Sequence, residues 1–196
     1  MWDERFAGED YVYGEEPNVF FAEQLKTLPS GKMLLPMEGE GRNAVHASKL
    51  GWDVVAFDAS AEGIKKAQML AKSQHVTFDY HHATAVDFNY SHEAFDAVAL
   101  IYAHLPPEER VVMHQGIVKA LKPGGVMIAE VFHPNQLGRD SGGPKREDML
   151  YTIDLLKQDF AGFHVLYSIE TEAVLNEGAF HRGQAFVTRY VAQKPE

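Results

Sequence analysis

The chain contains no cysteine. Disulfides, thiolate metal centres and cysteine nucleophiles are therefore excluded. It also has no run of basic residues: 18 Lys and Arg stand against 28 Asp and Glu, a formal net charge of -10. A duplex or RNA partner demands clustered cations to neutralise its phosphates, so no nucleic-acid partner is expected. Nowhere is an apolar stretch long enough to span a bilayer, and the opening MWDERFAGED is acidic, without an apolar signal core. The expectation is a cytoplasmic protein with no membrane partner. Internal repeats and low-complexity tracts are absent too. What is present is ordinary apolar content over 196 residues, enough to bury a full core in one domain, 1–196. Its expected parts are an N-terminal arm and helix over 1–30 and a sheet core over 31–196.

The stretch Met33–Asn43, MLLPMEGEGRN, organises the rest. Three apolar residues run into Pro36, which belongs at a strand end because a central strand cannot spare its N–H. The chain then turns through Gly39-Glu40-Gly41, and Arg42-Asn43-Ala44-Val45 reads as the first turn of a helix ending at Gly51. Two glycines let backbone approach a ligand with no Cβ in the way, beside the free N–H groups of a helix start. A second strand, Trp52–Phe57, stops at Asp58. An acid there is placed to accept hydrogen bonds from ribose hydroxyls. The other reading of Asp58 is an N-cap for the helix after Ala59-Ser60.

Residues 1–16 carry Trp2, Phe6, Tyr11 and Tyr13 among acids without a clean period. They read either as an arm packed on the domain or as an aromatic flap over a ligand. A helix starts at Pro17 or Asn18. A third strand is expected at Val76–Tyr80, a fourth at Phe95–Ile101 and a fifth at Val126–Phe132, with a helix opened by Pro106-Pro107 between the last two. After the long polar loop His133–Lys145, a helix places Met149, Ile153, Leu156 and Phe160 on one face. Two strands, about 164–173 and 184–193, close the chain as an antiparallel hairpin, with a turn signalled at Asn176-Glu177-Gly178. Alternating βα units with this ending describe an open α/β sheet, whose ligands bind beyond the C-terminal strand ends. Gly39, Gly41, Asp58, the loop after Tyr80 and the residues after Ile101 thus surround one crevice.

With GEGRN (Gly39–Asn43), Asp58, Phe95-Asp96-Ala97-Val98 and LKPGG (Leu121–Gly125) in this order, nearly the whole chain resembles the class I S-adenosylmethionine-dependent methyltransferases. Within them it looks most like the small tellurite-resistance-type branch. The cues are GxGRN, the Tyr11–Asn18 stretch, His104-Leu105-Pro106-Pro107 and His181-Arg182. The resemblance implies a Rossmann-like sheet of seven strands with helices on both faces, order 3-2-1-4-5-7-6, last strand antiparallel. It implies S-adenosylmethionine as cofactor, S-adenosylhomocysteine as product, and a small, soft or anionic acceptor. The implied cofactor residues are Glu38, Gly39, Gly41, Asn43, Asp58, Ala59, Thr84, Ala85 and Ile101. The family's first acid position holds Leu35 here and its first glycine position Met37. Glu38 takes over the acid's role, contacting the methionine amino group or organising the turn. Thr84 replaces an acid near the adenine, with Ala83 and Ala85 left to offer backbone contacts; Asp87 reads as a solvated surface acid in preference to a substitute for it.

Transfer from a sulfonium needs chiefly binding and orientation from the protein. A soft anionic nucleophile needs a donor-rich pocket and no base. His104, His181 and Arg182 are the candidates for holding it, with His133 within reach of the same mouth. His46, His75, His92, His114 and His164 read as surface or core residues. The pair His81-His82 lacks a third ligand at metal spacing, so no metal is expected. Two other readings stay open. One is a cofactor-binding sensor that has lost catalysis; the other is a nicotinamide-dependent oxidoreductase, against which the terminal hairpin argues. The oligomeric state is not legible.

Overall fold

The computed structural model describes residues 2–196; Met1, the first residue of the expected arm, lies outside them. One sheet of seven strands has the order β3-β2-β1-β4-β5-β7-β6. Its members are β1 (Lys32–Pro36), β2 (Asp53–Asp58), β3 (Asp79–His82), β4 (Phe95–Ile101), β5 (Leu121–Phe132), β6 (His164–Glu177) and β7 (His181–Gln193). Strands β1 to β5 pair parallel, and β7 is antiparallel to both β5 and β6. The expected topology and antiparallel ending are both found.

Strand β1 shows why its run is continuously apolar. Met33, Leu34 and Leu35 are all fully buried because helices cover both faces of the sheet. Leu34 faces a cluster with Val98, Met113, Ile117 and Met127. Its neighbours Met33 and Leu35 face Phe20, Phe21, Ala44 and Ala47. Thus α2 (Val19–Leu25) and α3 (Arg42–Lys49) lie on one face, while α5 (Pro107–Ala120) and α6 (Ile153–Asp159) lie on the other. Helix α4 (Ala61–Ser73) packs beside α3 through Val45, Leu70 and Ala71. A short helix, α1 (Trp2–Phe6), begins the arm. The crossover from β3 to β4 has no helix. Phe88 stacks on Phe57 with centroids 4.2 Å apart in its place, and Tyr90 closes edge-on to both.

Several boundaries differ from the sequence reading; the fifth strand, for one, opens at Leu121 rather than Val126. The third strand starts at Asp79, not Val76, because the Val76 N–H closes onto Ala71 O at the end of α4 and His75 turns left-handed at φ 57°. The last helix starts at Ile153, since Thr152 caps it, while Met149 sits in a separate 3-10 turn before extended Leu150. The hairpin is longer than expected: its ladder runs on until Glu177 faces His181. His181 and Arg182 therefore begin β7 rather than occupying a loop.

Candidate active site

The Gly turn is held by three carboxylates. Backbone φ is 55° at Met37, 60° at Gly39 and 84° at Gly41. Met37 keeps the left-handed conformation expected of a glycine, at a strain of roughly 1–2 kcal/mol for an L-residue. Strain of this kind is stored where surrounding contacts over-determine it. Here the Glu38 N–H donates to Phe57 O at 3.2 Å, and Glu38 Oε1 accepts from the Asn43 and Ala44 amides at 2.8 Å each. Of its two open roles, Glu38 thus shows the second: it organises the turn. Burial pushes its carboxyl up to about 7 against the opposing pull of those bonds. Glu40 accepts from the Val12 N–H at 2.9 Å and pairs with Lys66 at 2.6 Å. Asp58 accepts from Gly39 N at 2.9 Å and Ser60 N at 2.8 Å, and burial raises its pKa against those bonds. The helix cap is Ser60, which accepts from Gly63 N at 3.1 Å, so Asp58 is not the cap.

The two glycines have different work. A Cβ on Gly41 would lie 2.5 Å from Ala67 Cβ, so Gly41 serves the packing of α3 on α4. A Cβ on Gly39 would meet only the Phe6 ring, at 3.3 Å. Gly39 is thus the glycine whose only close neighbour is a side chain of the arm, which buries it. Asp3 fastens that arm by accepting from the Ser60 hydroxyl at 2.6 Å and the Glu62 N–H at 3.2 Å.

Arg42 and Asn43 bind protein, not the crevice. Arg42 Nη2 meets Glu177 Oε2 at 2.7 Å, fastening the hairpin to the Gly turn. Asn43 Oδ1 accepts from the Asn18 N–H at 2.9 Å. Asn18 in turn donates to Glu130 at 2.7 Å and to Glu177 at 3.0 Å. Glu130 also accepts from the Tyr102 hydroxyl and from Arg189 Nε, each at 2.6 Å. Tyr102, at φ 53°, is a second strained residue at the C-terminal strand ends. Sequence reasoning missed Asn18, Tyr102, Glu130 and Glu177. Glu130 had a signal: a lone acid inside the apolar strand VMIAEVF must be paired or functional.

The histidine candidates converge on Phe132. His104 lies 5.7 Å from its ring and His181 5.3 Å, centroid to centroid. Their chemistry differs. His104 Nδ1 meets Met149 O at 2.7 Å and Nε2 accepts from the Phe132 N–H at 3.0 Å. Burial pushes His104 down to about 4, against the Met149 bond. It is a neutral tie within the fold, which corrects its expected role as a cation for an oxyanion. His181 sits between the rings of Tyr13 at 4.4 Å and Tyr102 at 4.5 Å. Arg182, the next residue of the strand, is exposed and leaves the opposite face from His181, because successive side chains alternate. His133 turns toward Glu170 at 3.5 Å and Phe186. The long loop crosses these rings at Gly142 and Gly143: a Cβ there would come within 2.6 Å of His181 and 2.8 Å of Phe132.

The remaining cofactor candidates are more scattered. Ala59 is exposed, its carbonyl held by His82 Nε2 at 2.9 Å. Thr84 is exposed and donates to Asp87 at 2.6 Å. Ala85 turns its side chain into the core, and half-buried Ile101 ends β4 beside Tyr102. Among the described residues no three His, Asp or Glu side chains gather as a metal site.

The chemistry of the turn fits the methyl donor that the sequence implied. Glu38 and Asp58 are carboxyls whose pKa is raised chiefly by burial, which penalises their charged form. A ligand bearing a sulfonium and an ammonium would offset that penalty. Asp58 keeps lone pairs beyond its two N–H bonds for hydroxyl donors. Phe6 must leave Gly39 before any ligand can touch that backbone.

Residues 37–125 match the family described as a methyltransferase domain. The ubiquinone biosynthesis O-methyltransferase of Cereibacter sphaeroides (strain ATCC 17025 / ATH 2.4.3) is 30% identical over 128 residues, 64% of this chain and 52% of that protein. The chain thus spans about half the length of this curated relative. Among solved structures, an S-adenosylmethionine-dependent methyltransferase from Methanosarcina mazei superposes with TM-score 0.73 at 16% identity, over 92% of this chain and 99% of that one. TehB from Haemophilus influenzae gives TM-score 0.75 at 16% identity, over 91% and 62%.

Proposed function

We propose that this chain is a class I methyltransferase that takes S-adenosylmethionine as its methyl donor and transfers the methyl group in line to a small acceptor. The observation that carries the reading is the Asp58–Gly39 contact at 2.9 Å, which sets a desolvated acid against a left-handed glycine covered only by the Phe6 ring of the arm. When bound, the donor supplies an activated methyl group. The protein's part is to hold it, exclude water and present the acceptor. In this reading Asp58 takes the ribose hydroxyls and Gly39 gives close backbone approach. The ring cluster of Tyr13, Tyr102 and His181 forms the wall where the acceptor stands. A cytoplasmic location belongs to the same proposal.

The acceptor is the finer question. The tellurite-resistance resemblance favours an oxyanion, whereas the curated relative's name points to oxygen as the methylated atom. The nearby guanidinium groups are already paired, Arg42 with Glu177 and Arg189 with Glu130, which favours an uncharged acceptor over an oxyanion. A second reading, a donor-binding sensor without turnover, draws on Phe6 lying over Gly39. Incubation with S-adenosylmethionine and a panel of phenols, thiols, selenite and tellurite, read as S-adenosylhomocysteine formed, tests the proposal. Binding without turnover of any acceptor selects the sensor. Binding of NAD instead selects the oxidoreductase.

A further inference from the structure

His181 is buried, yet its Nδ1 has no hydrogen-bond partner. The unpaired atom points at Glu177 Oε2, 3.6 Å away. Two other buried histidines set the comparison. His104 has both ring nitrogens engaged. His114 meets Asp159 through Nδ1 at 2.7 Å in the seam between α5 and α6, where its Nε2 is also without a partner. His181 is the one of the three whose unpartnered nitrogen lies beside Phe132 at the C-terminal end of β5.

The charges around it are fixed. Burial opposes ionisation of Glu177, but His181 and the Arg42 guanidinium together hold its carboxyl below the ordinary range. Burial also holds the imidazole below its ordinary 6.5, outweighing the pull of Glu177. The result is a neutral imidazole beside an ionised carboxylate. That carboxylate favours the tautomer with the proton on Nδ1 and leaves the Nε2 lone pair free. Nε2 lies under Gly142, where a Cβ would come within 3.1 Å of it. No hydrogen bond among the described residues uses Nε2. The other groups facing His181 are Tyr13 from the arm, Tyr102 after β4, Arg42 on α3 and Glu130 on β5.

We infer that His181, oriented by Glu177, is the base that takes the proton from a flat organic acceptor bearing a ring O–H or S–H group. This rests on the methyltransferase reading and names its substrate class. The acceptor's oxygen or sulfur forms its bond to the methyl carbon as the methyl–sulfonium bond breaks with its electron pair going to sulfur. The proton passes to His181 Nε2, and the imidazolium so formed is stabilised by Glu177 until water removes the proton. Tyr13, Tyr102 and Phe132 pack on the imidazole itself, with ring centroids 4.4, 4.5 and 5.3 Å away, so a flat acceptor ring would reach it by taking the place of the arm's Tyr13.

The experiment has three readouts on the full chain: calorimetry with S-adenosylhomocysteine, NMR titration of the His181 ring, and steady-state transfer to catechol, 4-nitrothiophenol, selenite and tellurite. In the ligand-free protein His181 should titrate below 6.5 with the proton on Nδ1, and Glu177→Gln should change that tautomer balance. His181→Asn should bind S-adenosylhomocysteine within about twofold of the parent. Its kcat toward catechol should fall by about 10²–10⁴-fold, as expected when a general base is removed. The loss should be smaller toward 4-nitrothiophenol, which is already ionised near neutral pH. The acid limb of the pH–rate profile should disappear with the imidazole. An unchanged catechol rate in His181→Asn with product binding intact overturns the inference alone. So does transfer to the oxyanions but to neither ring acceptor, or a His181 ring charged at pH 7. Absence of S-adenosylhomocysteine binding in the parent protein overturns the methyltransferase reading itself.

Discussion

The Gly turn and the hairpin end lie at the same edge of the sheet, yet they are built on opposite terms. At the turn every carboxylate accepts from backbone: Glu38 from two amides of α3, Glu40 from Val12 while also pairing with Lys66, Asp58 from Gly39 and Ser60. At the hairpin end, rings surround His181, whose Nδ1 is left unpaired. The first region is over-determined, which suits a site that must hold a donor in one pose. The second keeps an unused proton acceptor, which suits a site where chemistry occurs. The Arg42–Glu177 pair joins the two.

Breaking that joint should have the largest effect. Arg42→Ala leaves Glu177 nearly buried without its partner, and should cost about 3–5 kcal/mol. For a chain of this size that is a fall in Tm of about 10 °C by calorimetry. Product affinity and transfer should both suffer, because each region loses its anchor. An unchanged Tm would show that the two ends are independent.

The two glycines sharpen the contrast. Gly41→Ala drives a Cβ to 2.5 Å from Ala67 at φ 84°. Overpacking and backbone strain together should cost about 2–4 kcal/mol of stability. Gly39→Ala meets only a movable ring, so its stability cost should stay near ~1 kcal/mol for the left-handed backbone, while its product affinity falls more than that of Gly41→Ala. Urea denaturation and calorimetric titration of both variants check this. Equal binding losses would remove Gly39 from the crevice.

Glu38 gives a smaller, pH-dependent effect. Its folded pKa, about 7, lies above the ordinary 4.5, so the folded state binds the proton more tightly. That contribution to stability is full below 4.5 and is lost as pH rises through 7. Glu38→Gln keeps an oxygen for the two amides and removes the ionisation. Its Tm relative to the parent should therefore rise steadily from pH 5 to 8. A constant difference across that window would mean that Glu38 is ionised throughout. The smallest effect belongs to Arg182→Ala. An exposed side chain on the far side of the strand should change stability by less than ~0.5 kcal/mol and leave turnover within about twofold. A large loss of turnover would return Arg182 to the acceptor site.

The topology was legible because β1, β2 and β4 are short, largely apolar runs, and such runs have few alternatives to a buried parallel strand. Gly39 and Asp58 were legible because their spacing follows from chain geometry. What escaped was set by partners far along the chain. Nothing near His104 shows that Met149 and Phe132 consume its ring, and nothing near Asn43 shows Asn18. The turn signal at Asn176-Glu177-Gly178 was read as one unit. Gly178 alone turns, at φ 68° against the backbone of Val12, while Glu177 stays in the ladder to meet Arg42. The start of β3 was missed because Val76 is apolar but gives its N–H to the end of α4.

The account stands most directly on one titration: S-adenosylhomocysteine into the parent protein and into Asp58→Asn, by isothermal calorimetry. Asparagine is the informative change, since alanine would leave the Gly39 and Ser60 amides without an acceptor. The account predicts saturable one-to-one binding by the parent, weakened by about 1.5–3 kcal/mol in the variant through loss of hydrogen bonds to a charged acceptor. Equal affinity in both proteins, or no heat with S-adenosylhomocysteine alongside clear binding of NAD, would contradict it.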